Sequence, residues 1–256
     1  MQYVESTRLL VETGMTGATG NIYFGLHEYE SMGFTLHALR PNHNFIDVGA
    51  NIGSYTLLSA GVIGAKCLAI EPTPSNFEHL RDNIRLNDIS DRVSLYNAGA
   101  GSESDTLHFK ASGTTVDRVL EDSEDRKKED TLKVSVYPLD DLFSNQDSTV
   151  IVKIDVEGWE SEVLDGAQRI LQREKPTALI VELDGAGEKY GFDDSERHFE
   201  LIERGFDPVT YDPSSRIIHP IEEWTPSGNT IYVNNIDEFT NLTNKSEKYS
   251  ILDKQL

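Results

Sequence analysis

Short apolar runs bounded by polar residues recur along the chain. Phe45 to Val48, Lys66 to Ile70, Arg92 to Asn97, Thr149 to Asp155 and Thr177 to Leu183 are strand-length and rich in β-branched residues, which reads as a buried parallel sheet. Between them the apolar positions move to helical steps. Leu26, Tyr29, Met32, Leu36 and Leu39 define an amphipathic helix stopped by Pro41. Another helix follows Phe45 to Val48 and runs through about Ala60. Phe77, Leu80 and Ile84 line a third, opened by Thr73 as N-cap and Pro74 in its first turn. Val163, Leu164, Ala167, Ile170 and Leu171 form the stripe of a fourth, which stops before Pro176. This alternation predicts βαβ units.

After a helix over 195–204, Asp207 to Tyr211 and Thr230 to Asn234 supply a sixth and a seventh strand, and these two form a terminal antiparallel pair. Thr106 to Phe109 and Leu132 to Val136 alternate like a hairpin of short strands. Residues 1–25 read as a strand or loose arm, and the tail beyond Asn235 as polar and peripheral. The stretch 114–130, dense in both charges, reads as a mobile solvated excursion or a lid.

Charge narrows the partners. Lys and Arg number 23 against 44 Asp and Glu, a net charge of −21, which repels phosphate backbones and excludes nucleic acid as an expected substrate. Solubility accounts for the acid excess better than an acidic docking face does. Cys67, the single cysteine, lies inside an apolar strand and is expected to be buried and inert. The start lacks the apolar run of a signal peptide and no segment has the ~18 apolar residues of a membrane span, so a cytoplasmic location is expected. None of the histidines has metal-ligand spacing, and surface placement is expected for them. The oligomeric state is left open.

The chemistry gathers at strand ends. Asp47 ends the first strand beside Gly49, Asn51 and Gly53, where a dinucleotide fingerprint would carry G-x-G-x-x-G. A carboxylate there repels a pyrophosphate and suits a ligand with an ammonium and a sulfonium, as S-adenosylmethionine has. The glycines permit positive φ and close approach of a ligand, and the helix starting near Ser54 offers N–H groups. Glu71 ends the next strand, where a carboxylate accepts the hydroxyls of a ribose.

FIDVGANIGSY at 45–55, IEP at 70–72 and VKIDVEGWE at 152–160, in that order, resemble the FkbM-type S-adenosylmethionine-dependent methyltransferases over roughly residues 21–233. The resemblance implies an α/β, class I methyltransferase-like Rossmann sandwich with a seven-stranded, mostly parallel sheet and an antiparallel terminal strand. The implied organisation is an N-terminal arm and capping helix (1–43), a methyltransferase domain (44–235) and a polar tail (236–256). The resemblance also implies Asp47, Gly49, Ala50, Asn51, Gly53, Tyr55, Glu71 and Pro72 as cofactor contacts. It adds Asn97 and Ala98 near the adenine, where ordinary loop residues are the alternative. Glu28 is either a cofactor or substrate contact or a solvated helix acid.

Lys153, Asp155, Glu157 and Glu182 are left to face the acceptor, a hydroxyl on a sugar, glycan or secondary metabolite. Asp155 or Glu157 is the candidate base, with Asp155 alternatively a helix N-terminal acid and Glu157 a turn acid. The Lys153 amine is expected to pair with a neighbouring acid. Asp155 and Glu182 also end adjacent strands where two carboxylates can hold Mg²⁺, but the usual neighbouring amide is missing and no metal is expected. Tyr55 and Trp159 form either an apolar wall or core packing. Competing with this reading are a nicotinamide-dependent oxidoreductase or epimerase, whose glycine turn and Tyr-x-x-x-Lys pair the chain lacks, and a non-catalytic S-adenosylmethionine-binding module.

Overall fold

The computed structural model describes residues 1–12, 16–112, 115–119, 131–252 and 254–256. Its main sheet runs in the order Ile217–Pro220, Asp207–Asp212, Asn229–Val233, Thr177–Glu182, Val150–Ile154, Asn44–Val48, Lys66–Ile70, Val93–Tyr96. From Thr177–Glu182 to Val93–Tyr96 all pairings are parallel, while Asn229–Val233 runs antiparallel to both its neighbours. The α/β sandwich and the antiparallel strand agree with the sequence, but the sheet has eight strands rather than seven. The extra one, Ile217–Pro220, lies at the edge against Asp207–Asp212, where pairing with one neighbour suffices.

Asn44–Val48 and Val150–Ile154 are buried along their whole length because both sheet faces are covered. Alternation splits their side chains between two cores. Phe45, Ile151, Ala178 and Ile180 pack under the helices Tyr29–Ala38, Pro74–Leu86 and Ile236–Asn244 together with the N-terminal arm. Ile46, Val48, Val152, Ile154 and Val181 meet Val163, Leu164, Ile170 and Leu201 on the other face. Asp47 is in register with Lys153, so both project on the first face.

Several expectations are corrected by long-range packing. The helix Tyr29–Ala38 is buried from Ser31 to Ala38 rather than amphipathic, since it is sandwiched between the sheet and Ile236–Asn244. The N-terminal residues are no loose arm, because Tyr3, Val4 and Leu9 join the core. Nor is the tail peripheral: Phe239 and Ile251 are buried, and Val4 bridges Ile251 while the Glu5 amide donates to the Ser250 carbonyl at 3.0 Å. Ile251 presses on Gly25, where a Cβ would come within 2.4 Å of its Cγ2.

Asp105–Ser112 and Thr131–Tyr137 do pair antiparallel, but as the centre of a separate four-stranded sheet with Gly99–Ala100 and Thr115–Val119. Within the proposed excursion 114–130, residues 115–119 are therefore strand; residues 114 and 120–130 lie outside the described residues. The helix after Gly53 continues to Ile63 with a wider, π-type winding from Leu57. Cys67 is buried. Surface placement fails for His37, His43 and His198, all buried, with His37 and His198 against the Tyr211 and Tyr232 hydroxyls at 2.6 and 3.0 Å. Among the described residues no helix is long and apolar enough to cross a membrane.

Candidate active site

The chain leaves Asn44–Val48 toward Lys66–Ile70 on one side and returns to Val150–Ile154 on the other, so the strand order reverses beside the central strand. Ligands bind at such a point beyond the carboxyl ends of the strands, and a cavity of about 240 Å³ opens there. Its floor is the Gly49 to Ser54 turn. Gly49 and Ala50 both donate their amides to the Ile70 carbonyl at 3.0 Å, Gly53 donates to Ala50 at 2.8 Å, and Asn51 donates to Glu71 Oε2 at 2.9 Å. These four amides are consumed internally, so the turn is not the open nest that cradles a pyrophosphate.

Both glycines take the positive φ expected of them, and each also makes room for a packing contact. At Gly49, with φ +77°, a Cβ would sit 1.9 Å from the Asp155 carbonyl oxygen, so its bareness lets the two strand ends meet. At Gly53, with φ +97°, a Cβ would sit 2.6 Å from Leu80 Cδ1. Gly53 serves helix packing and does not line the cavity.

Glu71 is buried, and its Oε1 also accepts the Thr73 amide at 2.8 Å. Burial raises its pKa against the opposing pull of the two amides. Glu71 also lines the cavity, where a carboxylate can accept from a pair of vicinal hydroxyls. Asp47 is buried and accepts from Thr56 Oγ1 at 2.6 Å; burial raises its pKa, with Lys153 and Thr56 opposing.

Across the central strand, Lys153 Nζ lies 2.7 Å from Asp155 Oδ2 and 5.1 Å from the centre of the Tyr55 ring. Burial alone would lower the Lys153 pKa, but Asp155, Glu28 and Asp47 together raise it. For Asp155 burial works upward and is outweighed by Lys153, which holds the carboxylate below its usual range. Glu182 shares a hydrogen bond with Asp155 and is pushed up to about 9 by burial and by that negative neighbour, so the proton of the pair resides on Glu182. Glu28 accepts from the Tyr55 hydroxyl at 2.6 Å and from the Asn229 amide, which makes it a fixed member of the acid cluster rather than a solvated helix charge.

The opposite wall is aromatic. Trp159 and Tyr190 line the cavity edge to face, with ring centres 5.0 Å apart. Beneath them Glu157 and Gly158 take left-handed backbone, φ 57° and 96°. Glu160 holds this turn by accepting the Val156 and Gly158 amides at 2.9 and 3.2 Å; burial pushes its pKa up to about 7.

Of the residues singled out in the sequence, Glu28, Asp47, Gly49, Ala50, Asn51, Tyr55, Glu71, Pro72, Ala98, Lys153, Asp155 and Glu157 all line this one cavity. Gly53 and Glu182 do not, Glu182 reaching the site only through its hydrogen bond with Asp155, and neither does Asn97, an exposed residue whose amide is spent on the Glu71 and Pro72 carbonyls at 2.8 and 3.2 Å. Asn97 ties down the loop behind Glu71. Sequence reasoning missed Asn21, His27, Asn76 and Tyr190 in the lining. It also missed Glu160, for which the only signal is its place in VEGWE. Among the described residues no cluster of three His, Cys, Asp or Glu side chains is arranged to hold a metal.

Comparison with known proteins agrees with this geometry. Residues 47–208 match the model of the Methyltransferase FkbM domain, a match that starts at Asp47 itself. The methyltransferase sdnD of Sordaria araneosa is 26% identical over 211 residues, 66% of this chain and 82% of that protein. The hexuronic acid methyltransferase AglP of Haloferax volcanii is 30% identical over 132 residues, about half of each chain (49% and 50%). Among solved structures, a precorrin-6y C5,15-methyltransferase from Geobacter metallireducens superposes with a TM-score of 0.45 at 14% identity, covering 88% of this chain and 92% of that one. With most of its sheet and the whole floor of its cavity inside the matched span, the chain belongs to the FkbM methyltransferase family, and its methyl donor is S-adenosylmethionine.

Proposed function

We propose that the chain methylates a hydroxyl group of a sugar, a glycan or a hydroxylated secondary metabolite. The observation that carries the reading is the cavity floor, where the turn amides are spent internally and carboxylates face the opening. That donor set suits a cationic ligand carrying a ribose and disfavours a dinucleotide, whose pyrophosphate needs free amides. When bound, S-adenosylmethionine supplies an electrophilic methyl group on a sulfonium.

In this reading Glu71 holds the ribose hydroxyls, with Asp47 and the Gly49 to Asn51 backbone beneath and Pro72 and Ala98 beside the cofactor. Lys153 keeps Asp155 ionised at the inner end of the cavity, which favours positive charge in front of it. Trp159 and Tyr190 offer flat apolar faces against which a sugar ring can stack, and Glu157 stands at the rim. The hexuronic acid named for the AglP relative supports a carbohydrate acceptor. The net charge of −21 supports a small-molecule or glycan acceptor over nucleic acid, in a cytoplasmic setting.

The test combines thermal shift with label transfer. S-adenosylmethionine and S-adenosylhomocysteine are expected to raise Tm, and NAD(H) and NADP(H) to leave it unchanged. Tritium from the labelled methyl group should then appear on one or more members of a panel of methyl hexosides, methyl hexuronides and polyhydroxylated metabolites. Label appearing on RNA alone would overturn the acceptor class.

A further inference from the structure

Four cavity-lining residues, Asn21, His27, Glu28 and Met32, precede the family match that begins at Asp47, and His27 and Glu28 are the titratable ones. The imidazole is seated by construction. It lies flush on the helix Thr16–Phe24, where a Cβ at Gly20 would come within 1.8 Å of His27 Cδ2. Its backbone amide donates to Asn21 Oδ1 at 3.0 Å, and Asn21 in turn donates to Ser54 Oγ at 2.9 Å, tying the segment to the cavity floor. His27 Nδ1 faces Glu28 Oε1 at 3.9 Å, and Glu28 is itself fixed by Tyr55 and Asn229.

A base for a hydroxyl acceptor works best with a pKa near the operating pH. Asp155 is poorly suited, because Lys153 at 2.7 Å holds its charge. An imidazole begins closest to the required range. The charged groups facing it are Glu28 on its own segment and Asp155 from the strand end; Gly20 and Asn21, packed against it from the helix, carry no charge. The contact with Glu28, the largest influence, outweighs burial and raises the His27 pKa. With its side chain 52% exposed, His27 can pass a proton on to water.

We propose that His27 is the general base of the reaction and Glu28 its positioning residue. The assignment rests on the methyl-transfer reading above. As the acceptor oxygen bonds to the methyl carbon, the carbon–sulfur bond breaks with its electron pair left on sulfur, and the hydroxyl proton passes to the imidazole, from there to solvent.

The experiment uses the full chain. The His27 Cε1 proton is titrated by NMR with and without S-adenosylhomocysteine, in wild type and Glu28→Gln, while label transfer to methyl hexosides and hexuronides is followed against pH. His27 is expected to titrate above the ordinary histidine value of about 6.5 and to fall in Glu28→Gln. His27→Gln is expected to lose about 10²–10⁴ in kcat, with S-adenosylhomocysteine affinity and Tm nearly unchanged. The acid limb of the wild-type profile should vanish in His27→Gln and move to lower pH in Glu28→Gln. Near-wild-type turnover in His27→Gln overturns the base. If the wild type transfers no label, the NMR decides: a His27 titration at or below 6.5, or one indifferent to Glu28→Gln, overturns the pair. Failure of the methyl-transfer reading itself is distinct, since it shows as no Tm shift with S-adenosylhomocysteine.

Discussion

Glu71 and Asp155 flank the central strand at the same cavity and are held by opposite means. Glu71 accepts main-chain amides from Asn51 and Thr73, whereas Asp155 is held by two side chains, Lys153 and Glu182. A carboxylate gripped by backbone keeps its place for as long as the fold exists. One gripped by ionisable side chains belongs to a cluster in which each charge depends on the others. The first arrangement suits a fixed cofactor, and the second suits a site where charge must be managed during a reaction.

The largest effect is expected where the two regions touch. Gly49→Ala would force a Cβ onto the Asp155 carbonyl at 1.9 Å in left-handed backbone. Overpacking and backbone strain each contribute about 1–3 kcal/mol, so a loss of about 4 kcal/mol in urea unfolding, or failure to fold, is expected. A variant of normal stability would mean that the two strand ends do not meet this closely.

Next comes Lys153→Met, which strands Asp47, Glu28 and Asp155 without their shared cation. Removal of one partner from a buried charge cluster costs about 3 kcal/mol or more at pH 7.5. The deficit should shrink toward pH 5 as the acids take up protons. The folded-state pKa of Lys153 is raised, so in wild type its contribution is complete below the unfolded value of about 10.4 and is lost as pH climbs beyond it. A constant deficit from pH 5 to 8 would contradict the coupled cluster.

Glu71→Gln probes the other region. An amide places an NH2 against the Asn51 or Thr73 N–H, and one unsatisfied buried donor costs about 1–3 kcal/mol. Weaker S-adenosylmethionine binding by calorimetry should accompany the stability loss, and the decline in stability that the raised Glu71 pKa imposes as pH rises past the unfolded value of about 4.3 should disappear. Unchanged affinity would place Glu71 outside the cofactor contacts.

Glu182→Gln should have the smallest effect, visible only in a pH series. The raised pKa of Glu182, about 9, means that the folded chain holds a proton there that the unfolded chain releases above about 4.3. Its contribution is complete below the unfolded value and declines as pH rises toward 9. The variant should flatten that decline in urea midpoints, and an unaltered slope would remove Glu182 from the cluster.

The two regions also differ in how well the sequence reveals them. Asp47, the glycine turn and Glu71 were legible because a strand, a turn and the next strand end form a local pattern that carries its own geometry. The packing constraint on Gly49 was not, since it comes from the Asp155 backbone more than a hundred positions away. The loop bonds of Asn97 were not legible, because a strand-end amide looks the same in sequence whether it faces a ligand or ties down a loop. Glu28 was visible only as an acid near a helix start; the Tyr55 and Asn229 contacts that fix it come from other elements. The chain ends defeated pattern reading for a related reason. Val4 and Ile251 are unremarkable singly and acquire meaning only by meeting.

That meeting works as a buckle. The two termini are joined by the Val4–Ile251 bridge and the Glu5–Ser250 bond, and Ile251 holds down Gly25, two residues before His27. Tension on the ends therefore loads a pair of short antiparallel contacts before it reaches the parallel sheet. The strap carrying His27 and Glu28 is therefore held from two sides, by Ile251 behind Gly25 and by the Asn21, Tyr55 and Asn229 bonds toward the cavity. The buckle thus sits beside the small part of the cavity wall that lies outside the family's shared frame.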